Sequence, residues 1–137
     1  MTILLIEDDA IEILKFNRSL IKLREVHELI EAHNGENALD ILAENSQIDL
    51  ILLDLNMPKM NGFEFLKQLR TDPNLKYIPT VVLTTSINRS DLKQAYSIGI
   101  AGYLVKPLKY EDYVLKIASL LNYWKQNHLH MDKHLFF

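Results

Sequence analysis

Leu50-Ile51-Leu52-Leu53-Asp54 is an apolar run that stops on a single carboxylate, and apolar runs ending on a polar residue recur three more times along the chain. Ile3-Leu4-Leu5-Ile6 runs into Glu7-Asp8-Asp9, Val81-Val82-Leu83 ends on Thr84, and Tyr103-Leu104-Val105 ends on Lys106-Pro107. Short buried strands separated by helical stretches build a parallel sheet, and such sheets bind ligands beyond the carboxyl ends of their strands. An acidic cluster, a lone Asp, a hydroxyl and a Lys are therefore expected on one rim. That set suits one task, holding a divalent cation together with a phosphoryl group.

Outward from these runs the alternation is regular. Strands are predicted near 2–6, 26–32, 49–53, 80–84 and 101–105, and helices near 10–23, 36–45, 62–70, 90–98 and 110–124. Repeated βα units without a long linker imply a three-layer α/β fold with right-handed crossovers. Val26-His27-Glu28-Leu29-Ile30-Glu31 is the most polar strand, as suits an edge; the others are nearly continuous apolar runs, as expected when helices cover both faces. The pattern fits a flavodoxin-like (βα)5 sandwich with parallel strand order 2-1-3-4-5, and the chain is too short for a closed barrel. Tyr110, Tyr113, Val114, Ile117, Leu121 and Trp124 form a single apolar stripe on the last helix. Gly62, Phe65, Leu66 and Leu69 repeat that spacing on the third, and Gly99 is placed to close the fourth. After Trp124 the periodicity weakens, so residues 1–124 read as one domain and 125–137 as a tail.

Composition narrows the function. With no cysteine in the chain, disulfides, zinc–thiolate sites and thiol nucleophiles are excluded. Met1-Thr2-Ile3-Leu4 reads as the start of a strand and not as a signal peptide, and no apolar run approaches the roughly 20 residues of a membrane span. The cytoplasm is the expected location. Residues 1–54 carry 12 acids and 4 bases, whereas 55–137 carry 6 acids and 11 bases scattered singly. Scattered bases do not make the basic stripe that nucleic acid requires, so no nucleic-acid partner is expected.

Glu7, Asp8 and Asp54 brought to one rim cannot all stay ionised without a cation. A few hard oxygen ligands beside a phosphoryl group favour Mg²⁺. Asp54, immediately after the central strand, is best placed to attack phosphorus and form an acyl phosphate. The cation and Lys106 then offset charge on the transferring oxygens, and the Thr84 hydroxyl donates to one of them. Plainer roles compete. Asp9 before Ala10-Ile11 reads as a helix N-cap, Met57 and Met60 as loop packing, and His128, His130 and His134 as a solvated tail. Trp124 with Tyr123 is read either as the last turn of the core stripe or as part of a partner face.

Ile3–Asp9, Leu53–Gly62, Val82-Leu83-Thr84-Thr85-Ser86 and Tyr103–Pro107 together resemble the receiver domain of bacterial two-component response regulators, over residues 1–124. The segment Ile78–Ser86 is most similar to the small stand-alone regulators associated with phytochromes and hybrid kinases. The resemblance implies Asp54 as phosphoacceptor, Asp8 as direct Mg²⁺ ligand, Glu7 acting through water and Asn56 lending its backbone carbonyl. It further implies that Thr84 and Lys106 contact the phosphoryl group, that Tyr103 is an aromatic switch rotating in from solvent, and that the peptide before Pro107 is cis. Thr85 departs from the small Ala common in the family.

A protein of this kind is not an enzyme. It takes its phosphoryl group from a sensor histidine kinase or phosphotransfer protein and signals through the face of 90–98, 101–105 and 110–124, with a homodimer through that face as one form. Three other readings share features. A Mg²⁺-dependent phosphatase of the haloacid dehalogenase type needs an acid two residues after the nucleophile, where this chain has Asn56. A phosphorylation-independent adaptor lacks an acid, the Thr or the Lys, and none is lost here. A flavodoxin would place a flavin phosphate against Glu7-Asp8-Asp9, which repel it.

Overall fold

The computed structural model describes residues 1–129 other than Ser46 and Pro58. Its elements run β1 (Thr2–Ile6), α1 (Ala10–Lys22), β2 (Glu28–Ala32), α2 (Gly35–Glu44), β3 (Leu50–Leu53), α3 (Gly62–Thr71), β4 (Thr80–Thr84), α4 (Arg89–Ile98), β5 (Gly102–Val105) and α5 (Tyr110–Lys125). The five strands are parallel in the order β2-β1-β3-β4-β5, as the flavodoxin-like reading requires.

Alternation along the strands splits the core in two. Leu4, Ile6, Ile51, Leu53 and Val82 pack on one face with Phe65, Leu66 and Leu69 of α3. Ile3, Leu5, Leu50, Leu52, Val81 and Leu83 pack on the other, against Phe16 and Leu20 of α1 and Tyr113 and Ile117 of α5. Both faces of β3 are fully buried, so consecutive apolar residues are required there in place of alternation. The α5 stripe holds at Tyr113, Val114, Ile117 and Leu121, and Leu120 joins it.

Side-chain caps fix where helices begin, and thereby the rim. Asp9 Oδ1 accepts from the Ile11 amide at 2.8 Å, while Asn61 and Glu64 close a reciprocal capping box on α3. Gly62 is required by proximity: a Cβ there would lie 2.7 Å from Leu55 Cα and 2.9 Å from the Asp54 carbonyl oxygen. Gly99 ends α4 with φ +130°, a conformation that L side chains rarely adopt. Arg70 clamps that end, donating from Nε to the Gly99 carbonyl at 2.7 Å and from Nη1 to the Ile78 carbonyl at 3.0 Å.

Three expectations need correction. β2 starts at Glu28 and not at residue 26, because its first partner is Thr2 and no strand lies beside the two preceding residues; Val26 is exposed. α5 continues to Lys125, where Tyr123 and Trp124 stack edge to face at 5.0 Å. No cis peptide occurs among the described residues, so the bond before Pro107 is trans. Met57 and Met60 pack into the core as read, and His128 is exposed. His130, His134 and Leu135-Phe136-Phe137 lie outside the described residues.

Candidate functional site

Parallel strands of matched register deliver Glu7, Asp54, Thr84 and Lys106 to one end of the sheet. The ladder pairs Ile6 with Leu53 and Thr84 with Val105, and each site residue is at or just beyond those positions. Glu7, Asp8 and Asp54 each present a carboxylate oxygen within 4.8 Å of the others. An all-oxygen donor set of this size, open on one side, fits a small divalent cation that keeps part of its water shell. The Asn56 side of the loop and Thr85 line the same opening, a cavity of about 280 Å³.

Thr84 is fully buried, and its Oγ1 donates to Asp54 Oδ1 at 3.0 Å. Lys106 is also buried and reaches inward despite the trans peptide that follows it. Its Nζ donates to Glu7 Oε1 at 2.5 Å and lies 3.3 Å from Glu12 Oε2. The second of these partners was not foreseen. Glu12 is in the first turn of α1, a placement that was itself legible from the Asp9 cap; its direction toward the lysine was not.

Burial sets the electrostatics. Desolvation pushes the Glu7 carboxyl up to about 7, and the nearby Asp54 charge adds to this, against the opposing pull of Lys106. Burial also raises Asp54, while the Lys106 charge, the hydrogen bond from Thr84 and the Asn56 amide oppose it. Burial alone would lower Lys106; the hydrogen bond and charge of Glu7, then Glu12 and Asp54, outweigh it and hold the ammonium above its ordinary value. The cluster is thus an anionic pocket with one internal cation, short of positive charge until a metal enters.

Tyr103 is not waiting in solvent. Its ring is half-buried against the core, and its hydroxyl donates to the Ser86 carbonyl at 3.0 Å. Ser86 Oγ in turn donates to Asp91 of α4 at 2.7 Å. A continuous set of contacts therefore leads from Asp54 through Thr84 and the following loop to β5 and α4.

A larger groove of about 610 Å³ lies between β5 and α5, lined by Leu104, Leu120, Tyr123 and Trp124 among others. It contains none of the converging rim groups, so the chemistry belongs to the smaller acidic cavity.

Comparison with known proteins agrees with this geometry. Residues 3–118 match the response regulator receiver domain. The chain is 34% identical over 129 residues to the response regulator Rcp1 of Synechocystis sp., covering 89% of this chain and 87% of that protein. The phosphorylated cyanobacterial phytochrome response regulator RcpA superposes with a TM-score of 0.86 at 31% identity, over 95% of this chain and 98% of its own. The Mn²⁺-bound form of Rcp1 superposes at 0.85 with 33% identity, over 95% and 99%. Receiver domains bind a divalent metal at their acidic pocket and interact with histidine kinases or phosphotransfer proteins. Among the described residues no helix is long and apolar enough to cross a membrane. With its five-stranded parallel sheet and acidic rim, the chain belongs to the response regulator receiver family, signalling proteins of two-component systems.

Proposed function

We propose that Asp54 accepts a phosphoryl group from a phosphohistidine of a sensor kinase or phosphotransfer protein, in the cytoplasm, with Mg²⁺ bound. A carboxylate oxygen of Asp54 forms the new bond to phosphorus, the P–N bond breaks, and the histidine nitrogen leaves with the electron pair. The observation that carries this is the placement of Asp54 between a buried hydroxyl donor and a pair of further carboxylates on the same rim. Glu7, Asp8, Asp54 and the Asn56 backbone carbonyl would hold the cation, which supplies charge neutralisation at the transferring oxygens. Thr84 and Lys106 are assigned to the phosphoryl oxygens; Lys106 must turn from Glu7 to reach them.

The receiver unit in this reading is residues 1–124, and 125–137 is a tail. Thr84 and Tyr103 form the switch. Because Tyr103 is already inward, phosphorylation would consolidate that arrangement and stiffen the link through Ser86 to α4. The response is read on the surface of 90–98, 101–105 and 110–124, where the apolar groove beside Tyr123 and Trp124 favours a protein partner, including a second copy of this chain. Exposed Ile11, Ile87 and Leu108 follow three of the four rim segments and favour docking of the phosphodonor protein over the cavity. Incubation with acetyl phosphate and Mg²⁺ followed by intact-mass measurement tests the central step. Wild type should gain one phosphoryl group and Asp54→Asn none; equal uptake by both removes Asp54 from the role.

A further inference from the structure

Glu12 is the third residue of α1, the position from which a glutamate ordinarily reaches back to the amide of the N-cap residue. Glu64 does this at the corresponding position of α3, completing its capping box with Asn61. On α1 the arrangement differs. The Asp9 amide faces Glu7 Oε2 at 3.5 Å, and Glu12 turns into the rim instead. Its Oε1 accepts from Lys15 Nζ at 3.4 Å, and that ammonium sits 4.8 Å over the Tyr113 ring. Its Oε2 is 3.3 Å from Lys106 Nζ.

That last contact is an ion pair without an aligned hydrogen bond: Glu12 Oε2 is buried and has no hydrogen-bond partner. A buried carboxylate oxygen left without a donor is costly, so it exerts a standing pull on any ammonium within reach. One N–H of the Lys106 ammonium is aligned on Glu7, and none of its three is aligned on Glu12. Glu7 is also one of the three carboxylates grouped for the cation. A cation held there would weaken Glu7's hold on the lysine, and Glu12 is the other carboxylate within ion-pair distance of that ammonium.

We propose that Glu12 is a positioning residue that restrains Lys106 on the α1 side of the pocket and competes with the phosphoryl group at Asp54 for it. This rests on the reading of Asp54 as phosphoacceptor given above. With acetyl phosphate as donor, an Asp54 oxygen bonds to phosphorus, the P–O bond to the acetyl group breaks, and acetate leaves with the electron pair. Lys106 neutralises the phosphoryl oxygens during that exchange, and every interaction that holds it on Glu12 delays it.

The test is a double-mutant cycle of Glu12→Gln and Lys106→Met, measured as phosphorylation rate at saturating Mg²⁺. Glu12→Gln should speed uptake about three- to tenfold when Lys106 is present and change it less than twofold when Lys106 is replaced, since coupled residues are non-additive. An equal acceleration in both backgrounds means that Glu12 acts through its charge alone and overturns the proposal; so does no acceleration. A second readout needs no metal or donor. In ¹⁵N-lysine-labelled, metal-free protein, the Lys106 ammonium resonance should move in Glu12→Gln and stay fixed in Glu64→Gln, and an unmoved signal in both overturns the proposal. Failure of wild type to take up any phosphate, with the resonance shift present, counts against the Asp54 reading and removes the competition with it; normal uptake without the shift counts against Glu12 alone.

Discussion

The Thr84 hydroxyl donates to Asp54 Oδ1 at 3.0 Å, joining the carboxyl ends of two neighbouring strands that are 30 residues apart in the chain. Thr84 is fully buried, so its hydroxyl has no water to turn to. Replacing Thr84 by Val keeps the shape and removes the donor. We expect a stability loss of about 1 kcal/mol, the usual net worth of one intramolecular hydrogen bond. Phosphate uptake at Asp54 should persist at a reduced level. Urea unfolding with intact-mass measurement checks both, and an unchanged midpoint would show that this bond carries no weight.

Asp8 is exposed and adds a negative charge beside Glu7 and Asp54. Asp8→Ala should abolish Mg²⁺ binding while leaving apo stability equal or raised by up to ~1 kcal/mol, the scale of exposed charge interactions. Thermal unfolding with and without Mg²⁺ reads both effects. A variant that is still stabilised by Mg²⁺ to the wild-type extent would remove Asp8 from the ligand set.

Gly62 sets the approach of α3 to the loop that follows Asp54, with no room for a Cβ against Leu55 and the Asp54 carbonyl. Both clashing partners include backbone, so the loop itself must shift. Gly62→Ala should cost about 1–3 kcal/mol, as overpacking does, and slow phosphate uptake. Chemical denaturation and phosphorylation kinetics on the same sample decide it; retention of both would mean that the loop yields freely.

Glu25 ties the start of the β2 region to the end of α5, accepting from Lys125 at 2.9 Å. The hydrogen bond from Lys125 holds its carboxyl below the usual value, with His27 contributing. A depressed carboxyl stabilises the fold above its unfolded value of 4.5 and loses that contribution as pH falls through the folded value. Glu25→Gln should therefore cost a few tenths to ~1 kcal/mol at pH 7, reduced by solvent screening, and nothing once both forms are protonated in acid. Melting temperatures of the pair from pH 7 down to pH 3 should converge; a constant offset would assign the difference to packing.

Association through the 90–98, 101–105 and 110–124 face should be measurable by sedimentation. The groove beside Tyr123 and Trp124 offers apolar surface that a second copy would cover. The full chain and a chain ending at Gln126 are compared, each with and without beryllofluoride as a phosphoryl mimic. We expect a dimer of the full chain that the mimic strengthens. Monomers under all four conditions would leave the face to a different protein.

Apolar run length and helical periodicity located the elements, the start of β2 apart, because a strand buried on both faces and an Asp before a periodic run are local physical facts. Leu50–Leu53 and the Asp9 cap are where those rules place them, and the polarity of β2 marked it as an edge of the 2-1-3-4-5 order. The terminal carboxylates, hydroxyl and amine could be listed on one rim for the same reason. What the tertiary structure alone decided is which of those groups touch. Lys106 bonds to Glu7 and leans on Glu12, Tyr103 is already packed inward, and β2 begins late for want of a neighbouring strand. These outcomes depend on long-range distances and on the competition of several acceptors for one buried ammonium, and a linear pattern carries no information on either.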